Sequence, residues 1–267
     1  MADTQVTPAV LVDVEDGVGN IRLNRPEASN AMSLELLRAL HEAALACDSN
    51  PDVKVILLTG EGRNFCGGGD VREFAYHGSD LPWPMRDITA HLQAAAAALI
   101  HSHAVVVTAV QGWATGGGGV GLVCASDIVL AAESARFMLA ASRVGMIPDA
   151  GATVMLPHLI GFRRAMEFAL TEQKLSAQEA LDFGLVTRVV PEAELAAEAR
   201  ALAMKLARSA PLALAATKRL LWQGVGSAVE ARLGEEARTQ TELSGTADAR
   251  EGLAAVLEKR DPTFTGT

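Results

Sequence analysis

The spacing of apolar residues divides the chain into two regimes. Residues 9–14 and 18–24 are short apolar runs around the polar turn Glu15-Asp16-Gly17, which predicts two strands joined by a tight turn. Ser33 opens a segment with Leu34, Leu37, Leu40 and Ala44 at the spacing of one buried helical face. Residues 53–59 form a continuous apolar run closed by Gly60, the pattern of a strand covered on both faces. The unit then recurs: a helix over 87–102, a strand over 104–110, a glycine cluster, a short apolar helix over 120–126 and a strand over 127–131. Strands alternating with helices predict parallel crossover units, hence an α/β sheet.

Past about residue 150 helix dominates. Ser176-Ala177-Gln178-Glu179 has the form of a capping box, with Gly184 at the expected helix end. Further helices are predicted over 192–209, 212–222, 228–243 and 247–259. The organisation expected is an α/β core over residues 1–205 followed by a helical region over 206–267.

Composition narrows the classes of function. The 267 residues are 49% hydrophobic, enough for a sizeable core, and only 4% aromatic, so Ala, Leu and Val must do most of the packing. A net charge of −9 argues against nucleic-acid binding, which needs clustered Lys and Arg. Cys47, Cys66 and Cys124 are odd in number and widely spaced, which fits neither a disulfide framework nor a metal-binding pair. Met1 to Pro8 shows no basic segment leading into an apolar run, and no apolar stretch reaches bilayer length. A cytoplasmic protein with no membrane association is expected.

Two glycine runs stand where chemistry would be built. Cys66-Gly67-Gly68-Gly69-Asp70 follows the strand ending at Thr59, and Gly116-Gly117-Gly118-Gly119 follows the strand ending at Val110. Glycine permits close ligand approach, and peptide N–H groups at a helix start lack partners. One N–H from each run could hold a carbonyl oxygen as it gains charge. Each run taken alone also reads as a flexible turn. Neither matches a phosphate-cradling loop or a dinucleotide fingerprint.

These runs belong to an ordered series of motifs. It includes Asn24-Arg25-Pro26-Glu27-Ala28-Ser29-Asn30-Ala31, Phe65 to Asp70, Gly116 to Asp127, Gly145-Met146-Ile147-Pro148-Asp149, Leu156-Pro157, Leu175-Ser176-Ala177, Arg250-Glu251-Gly252 and Glu258-Lys259-Arg260. In this the chain resembles the enoyl-CoA hydratase/isomerase, or crotonase, family over nearly its whole length. The resemblance implies a spiral of ββα units with a helical C-terminal trimerisation region, assembled as a homotrimer or a dimer of trimers. It implies an acyl-CoA thioester ligand, with coenzyme A entering as part of the substrate and no permanently bound cofactor. The implied oxyanion donors are the N–H of Gly69 and that of Gly117 or Gly118. Counting back from Asp127 selects Gly118, and counting forward from Gly112 selects Gly117.

The resemblance also locates a departure. The two glutamates with which hydratases of the family activate water fall at Gly121 (Val120 in the other register) and at Ala141. Neither position can exchange a proton. Asp149 falls where dienoyl-CoA isomerases, and the isomerases of phenylacetate breakdown, carry their catalytic aspartate. Among Val144, Met146, Ile147 and Pro148 a carboxylate would be partly desolvated and its pKa raised. On the residues alone, an Asp before Ala150-Gly151-Ala152-Thr153 serves equally as a helix cap. The reaction implied is double-bond isomerisation through a thioester enolate, with Asp149 carrying the proton. The alternatives are a hydratase using other groups, an aspartate-dependent haloaryl-CoA dehalogenase, or a non-catalytic acyl-CoA binder. The dehalogenase resemblance rests on residues 163–167 and the Val120-Gly121 register; His91 lies within about a residue of its histidine position, but its tryptophan position holds Ala141.

Arg25 and Ala28 fall where the family holds the CoA nucleotide, with Glu27 at a position often occupied by Lys. Gly69, Asp70 and Gly118 would adjoin the thioester, and Lys259 and Phe264 fall in a segment that often completes a neighbouring subunit's CoA site. Asp70 also reads as a brace for its turn. Cys66 has no evident His partner, and His101 and His103 lack the further ligands a metal would need.

Overall fold

The computed structural model describes residues 7–267, so most of the segment on which the absence of a leader was read lies outside the described residues. Strand β1 (Val10–Glu15) turns through Gly17 into the antiparallel β2 (Val18–Leu23). Helix α1 (Leu34–Ser49) is capped by Ser33, whose hydroxyl accepts from the Leu36 N–H, and it leads to β3 (Val55–Gly60). Then come α2 (Val71–His77), α3 (Pro82–His101), β4 (Val105–Val110), a short β5 (Trp113–Thr115), α4 (Gly116–Cys124) and β6 (Ile128–Ala132). The main sheet runs in the order β1-β2-β3-β4-β6 and ends on β9 (Arg188–Val190), with every pairing after the first parallel. All six residues of β4 are buried, as its uninterrupted apolar run requires.

A second sheet was not foreseen. It joins β5 to β7 (Arg136–Met138) and β8 (Leu175–Ser176), strands too short to leave a two-residue period in the sequence. Its first strand delivers the chain straight into α4. The helix expected to start after the glycine run therefore contains it: Gly116 to Gly119 are its first turn, not a loop before it.

The second half supplies α5 (Ala152–Ile160), α6 (Phe162–Leu170), α7 (Ala177–Phe183) with the expected capping box, α8 (Leu195–Ala207), α9 (Pro211–Ser244) and α10 (Ala247–Glu258). The boundary read at residue 205 falls in the last turn of α8, which lies against β3, β4 and β6. Two of the predicted helices are one: α9 runs for 34 residues through Gly224 and Gly226. Interior glycine costs a helix about 1 kcal/mol per residue, a cost a long packed helix absorbs. The predicted helix over 87–102 begins earlier, at Pro82, because proline suits a first turn whose N–H groups have no partner.

Helix α9 is anchored by ions as well as by packing. The buried Lys218 ammonium pairs with Asp127 at 2.9 Å and donates to the carbonyls of Leu99 and Ala104. Asp127 in turn accepts from the Trp222 indole and the Val106 N–H, so both charges are fully partnered. Among the described residues no helix is long and apolar enough to cross a membrane.

Candidate active site

The two glycine runs meet. Cys66 and Ala114 form a parallel bridge in which the Cys66 N–H donates to the Trp113 carbonyl at 3.0 Å and the Thr115 N–H donates to the Cys66 carbonyl at 2.9 Å. From the other side the Met32 N–H donates to the Gly68 carbonyl and the Asp70 N–H donates to that of Met32. This leaves the Gly69 N–H between them with no backbone carbonyl to donate to among the described residues. Gly68 has a φ of 89°, and a side chain there would stand 3.0 Å from the Thr115 carbonyl. On Gly69 it would stand 2.5 Å from the Phe74 ring. Glycine is thus favoured at Gly68 by the closeness of the two turns and at Gly69 by the Phe74 ring of α2.

Across this seam, Gly116 takes a φ of 66° and starts α4 within reach of Gly69: a Cβ on Gly116 would lie 3.9 Å from the Gly69 nitrogen. The N–H groups of the first helical turn have no intrahelical partner and carry the positive end of the helix dipole. Gly69, Gly117 and Gly118 line one cavity of about 320 Å³. Its walls are mostly apolar, with Met32, Leu37, Phe74, Met85, Leu92, Leu139, Met146 and Ile147, and its polar side chains are those of Thr115, Arg143, Asp149 and Gln240.

Asp149 enters the same cavity and is 7% exposed. Its carboxyl rests directly on Gly117, where a Cβ would lie 1.5 Å from Oδ1. It does not cap α5: the cap position belongs to Gly151, with a φ of 78°, and the first-turn N–H of Thr153 donates instead to the Glu236 carboxylate. The capping alternative is therefore not what the fold uses. Burial, with the charge of Glu236 second and opposed only by a backbone hydrogen bond, pushes the Asp149 carboxyl up to about 7. A group with that value exists in both protonation states near neutral pH.

The positions assigned to the hydratase glutamates are accounted for in space. Ala141 lines the cavity with a methyl group. Gly121 packs against the loop that carries Asp149, and a Cβ on it would meet that of Ala150 at 2.6 Å. The charged residues lining the cavity are Asp149 and Arg143, and the latter's guanidinium pairs with Glu172 at 3.5 Å and Asp261 at 3.7 Å.

A second cleft opens outward, lined by Arg25, Ala28, Asp70, Arg72, Trp113 and Leu257. It shares Gly67, Gly69, Val71, Thr115 and Val256 with the inner cavity, so the two are continuous through Gly69. Asp70 is the brace that was expected: its carboxylate accepts from the N–H groups of Arg72 and Glu73 at the start of α2. Arg25 donates to Asp70 at 3.0 Å and to the Ala31 carbonyl at 2.7 Å, so its guanidinium already serves the wall of the cleft. Lys259 and Phe264 line neither space in this chain.

Other candidates lie elsewhere. His91 stacks near His41, with ring centroids 5.9 Å apart, and does not line the cavity. Cys66 is buried, which pushes its thiol up to about 12 and keeps it neutral. His101 pairs with Glu230 and His103 with Asp48, and no group of three metal-ligating side chains occurs among the described residues. Sequence reasoning missed Glu236 and Gln240, which reach the Asp149 loop from α9. Both are polar residues at buried helical positions, four apart in a helix that lacks an apolar stripe to mark that face.

Comparison with known proteins agrees with this architecture. The sequence profile described as enoyl-CoA hydratase/isomerase matches residues 13–267. A probable enoyl-CoA hydratase of Rhodobacter capsulatus is 40% identical over 258 residues, covering 95% of this chain and 96% of that protein. The 1,2-epoxyphenylacetyl-CoA isomerase of Escherichia coli is 36% identical over 261 residues, covering 96% and 98%. The crystal structure of an enoyl-CoA hydratase from Mycobacterium avium subsp. paratuberculosis superposes with a TM-score of 0.88 at 32% identity, covering 96% and 98%.

Proposed function

The chain belongs to the enoyl-CoA hydratase/isomerase family, and within it we propose that it moves a carbon–carbon double bond of an acyl-CoA thioester through an enolate, with Asp149 carrying the proton. The observation that carries this reading is the seating of a buried carboxyl that caps no helix on Gly117, in a cavity lined by no second carboxylate among the described residues. The thioester carbonyl lies between the N–H of Gly69 and one from the glycines opening α4, Gly117 or Gly118. Asp149 as carboxylate takes a proton from the α-carbon of a 3-enoyl thioester. The C–H electron pair becomes the enolate double bond, and charge moves onto the thioester oxygen. The protonated Asp149 then returns the same proton to the γ-carbon, which leaves the conjugated 2-enoyl thioester. No atom is gained and no electron is exchanged with a cofactor.

The acyl chain occupies the apolar cavity, and the coenzyme A portion follows the outer cleft past Asp70, Arg25 and Ala28. Lys259 and Phe264 face a neighbouring subunit's cleft in a homotrimer or dimer of trimers. Exposed Leu212, Leu220 and Leu221 on α9 offer apolar surface for such an assembly. A cytoplasmic setting suits three buried, unpaired cysteines.

Hydration needs a second group to position water, and Ala141 and Gly121 supply none. The two chemistries separate on substrates. Given a 3-enoyl-CoA, the protein should generate the conjugated thioester absorbance; given a 2-enoyl-CoA, it should leave most of that absorbance in place. Bleaching of the 2-enoyl thioester with formation of a 3-hydroxyacyl-CoA would establish a hydratase. Binding of a panel of acyl-CoAs without turnover would establish a non-catalytic binder.

A further inference from the structure

We infer that Glu236 is a positioning residue for Asp149: from α9 its buried carboxylate fixes the backbone after Asp149 while Gln240, one helical turn on, fixes the backbone before it. The inference rests on the assignment of Asp149 as proton carrier.

The Glu236 carboxylate accepts from the Gly151 N–H at 2.7 Å, the Thr153 N–H at 3.2 Å and the Thr153 hydroxyl. The Gln240 carbonyl oxygen accepts from the Ile147 N–H at 3.1 Å. Their exposures are 4% and 6%, so each of these hydrogen bonds is made away from water, where a donor left unmatched has no solvent to satisfy it. One face of one helix thus holds residues 147 to 153 from both sides of Asp149.

The held segment needs holding. Ala150 and Gly151 follow Asp149 with φ of 58° and 78°, two successive left-handed residues, the first of them bearing a side chain. Such a conformation is unfavourable for a non-glycine residue and persists only where its surroundings impose it. The Asp149 carboxyl has no hydrogen bond from another residue's side chain or backbone among the described residues. Its direction, and its seat on Gly117, therefore come from the backbone that Glu236 and Gln240 grip.

Glu236 also acts through charge. The groups facing Asp149 are few: Glu236 from α9, and Arg143 from the cavity wall, itself paired with Glu172 and Asp261. Helix α4 offers only Cys124, whose thiol burial pushes up to about 12; α10 contributes the uncharged Val256, and His158 on α5 is exposed. Burial raises the Glu236 carboxyl too, opposed by its hydrogen bonds from Thr153 and Gly151; where Glu236 is ionised, its charge adds to burial in keeping Asp149 protonated to higher pH.

The test compares Glu236→Gln, Gln240→Met and Asp149→Asn with the parent, measuring kcat, KM and the pH dependence of kcat. Glu236→Gln keeps the size and part of the hydrogen bonding but removes the charge. It should leave KM within about twofold, lower the kcat plateau about tenfold, and move the acid limb to lower pH by about one unit. A role confined to stabilising the fold would not move that limb, and a limb that stays in place overturns the inference. Should Glu236→Gln fail to fold, Gln240→Met leaves the charge alone and reads the grip: kcat down about tenfold at unchanged KM supports the inference, and unchanged kcat overturns it. Activity surviving in Asp149→Asn would remove the parent assignment instead. An inactive Asp149→Asn beside an unmoved Glu236→Gln limb would remove this inference alone.

Discussion

Asp149→Asn will bind acyl-CoA esters like the parent, lose about 10³-fold or more in turnover, and melt at a higher temperature than the parent at pH 8. The kinetic half follows from the proposed role of the carboxyl as the acid–base group of the inner cavity, with Ala141 and Gly121 unable to replace it. The stability half follows from burial. The Asp149 carboxyl is pushed from an ordinary 3.8 to about 7 in the folded chain, so the fold prefers it protonated. For a raised value, the stability from the neutral form is complete below the unfolded pKa and is lost as pH rises through the folded pKa. That loss falls between about pH 4 and pH 7 and amounts to at most about 4 kcal/mol. Asn is neutral throughout and escapes it. The variant should therefore match the parent at pH 4 and gain on the order of 5 °C in Tm at pH 8. Equal melting temperatures at both pH values would mean that Asp149 is not strained by ionisation.

Gly117→Ala should have the next largest effect. The added methyl would lie 1.5 Å from Asp149 Oδ1, 2.7 Å from Cγ and 2.9 Å from the Asp149 nitrogen, so the loop as a whole must retreat. A shift of that kind would misplace the proposed proton carrier and crowd the proposed oxyanion donors together, for an expected loss of about 10²-fold or more in kcat and about 1–3 kcal/mol in stability. Gly224→Ala is the control. It lies within α9 with nothing inside 4 Å of the new methyl, and replacing an interior helical glycine should raise stability by up to about 1 kcal/mol without touching kcat. Near-parent turnover by Gly117→Ala would break the link between Gly117 and Asp149.

How far the sequence carried the fold depended on what each element buries. Strands β3 and β4 are apolar on both faces, and their runs were visible to within two residues. Helix α9 was split in two because its buried positions are Lys218, Gly226, Val229, Glu236, Gln240 and Ser244, only one of which an apolar pattern would mark. The same reason hid the grip on Asp149. Four glycines in a row disfavour helix and so point to a turn at the second run, whereas Asp149 and Met32 pressing on Gly117 and Gly118 leave little room for anything larger in the helix that forms there. Asp149 was ambiguous from its neighbours, since a cap and a base share one local signature; Gly151 takes the cap position and leaves the carboxyl free. The family motifs pointed to Asp149 because they report on spatial neighbours that local spacing does not.

Turnover of a 3-enoyl-CoA in H₂¹⁸O, followed by mass analysis of the thioester products, tests the central claim most directly. A proton moved by Asp149 between two carbons leaves the acyl group with no oxygen from water, so the account predicts a conjugated 2-enoyl-CoA free of ¹⁸O, formed by the parent and not by Asp149→Asn. A 3-hydroxyacyl-CoA carrying ¹⁸O as the main product would contradict it.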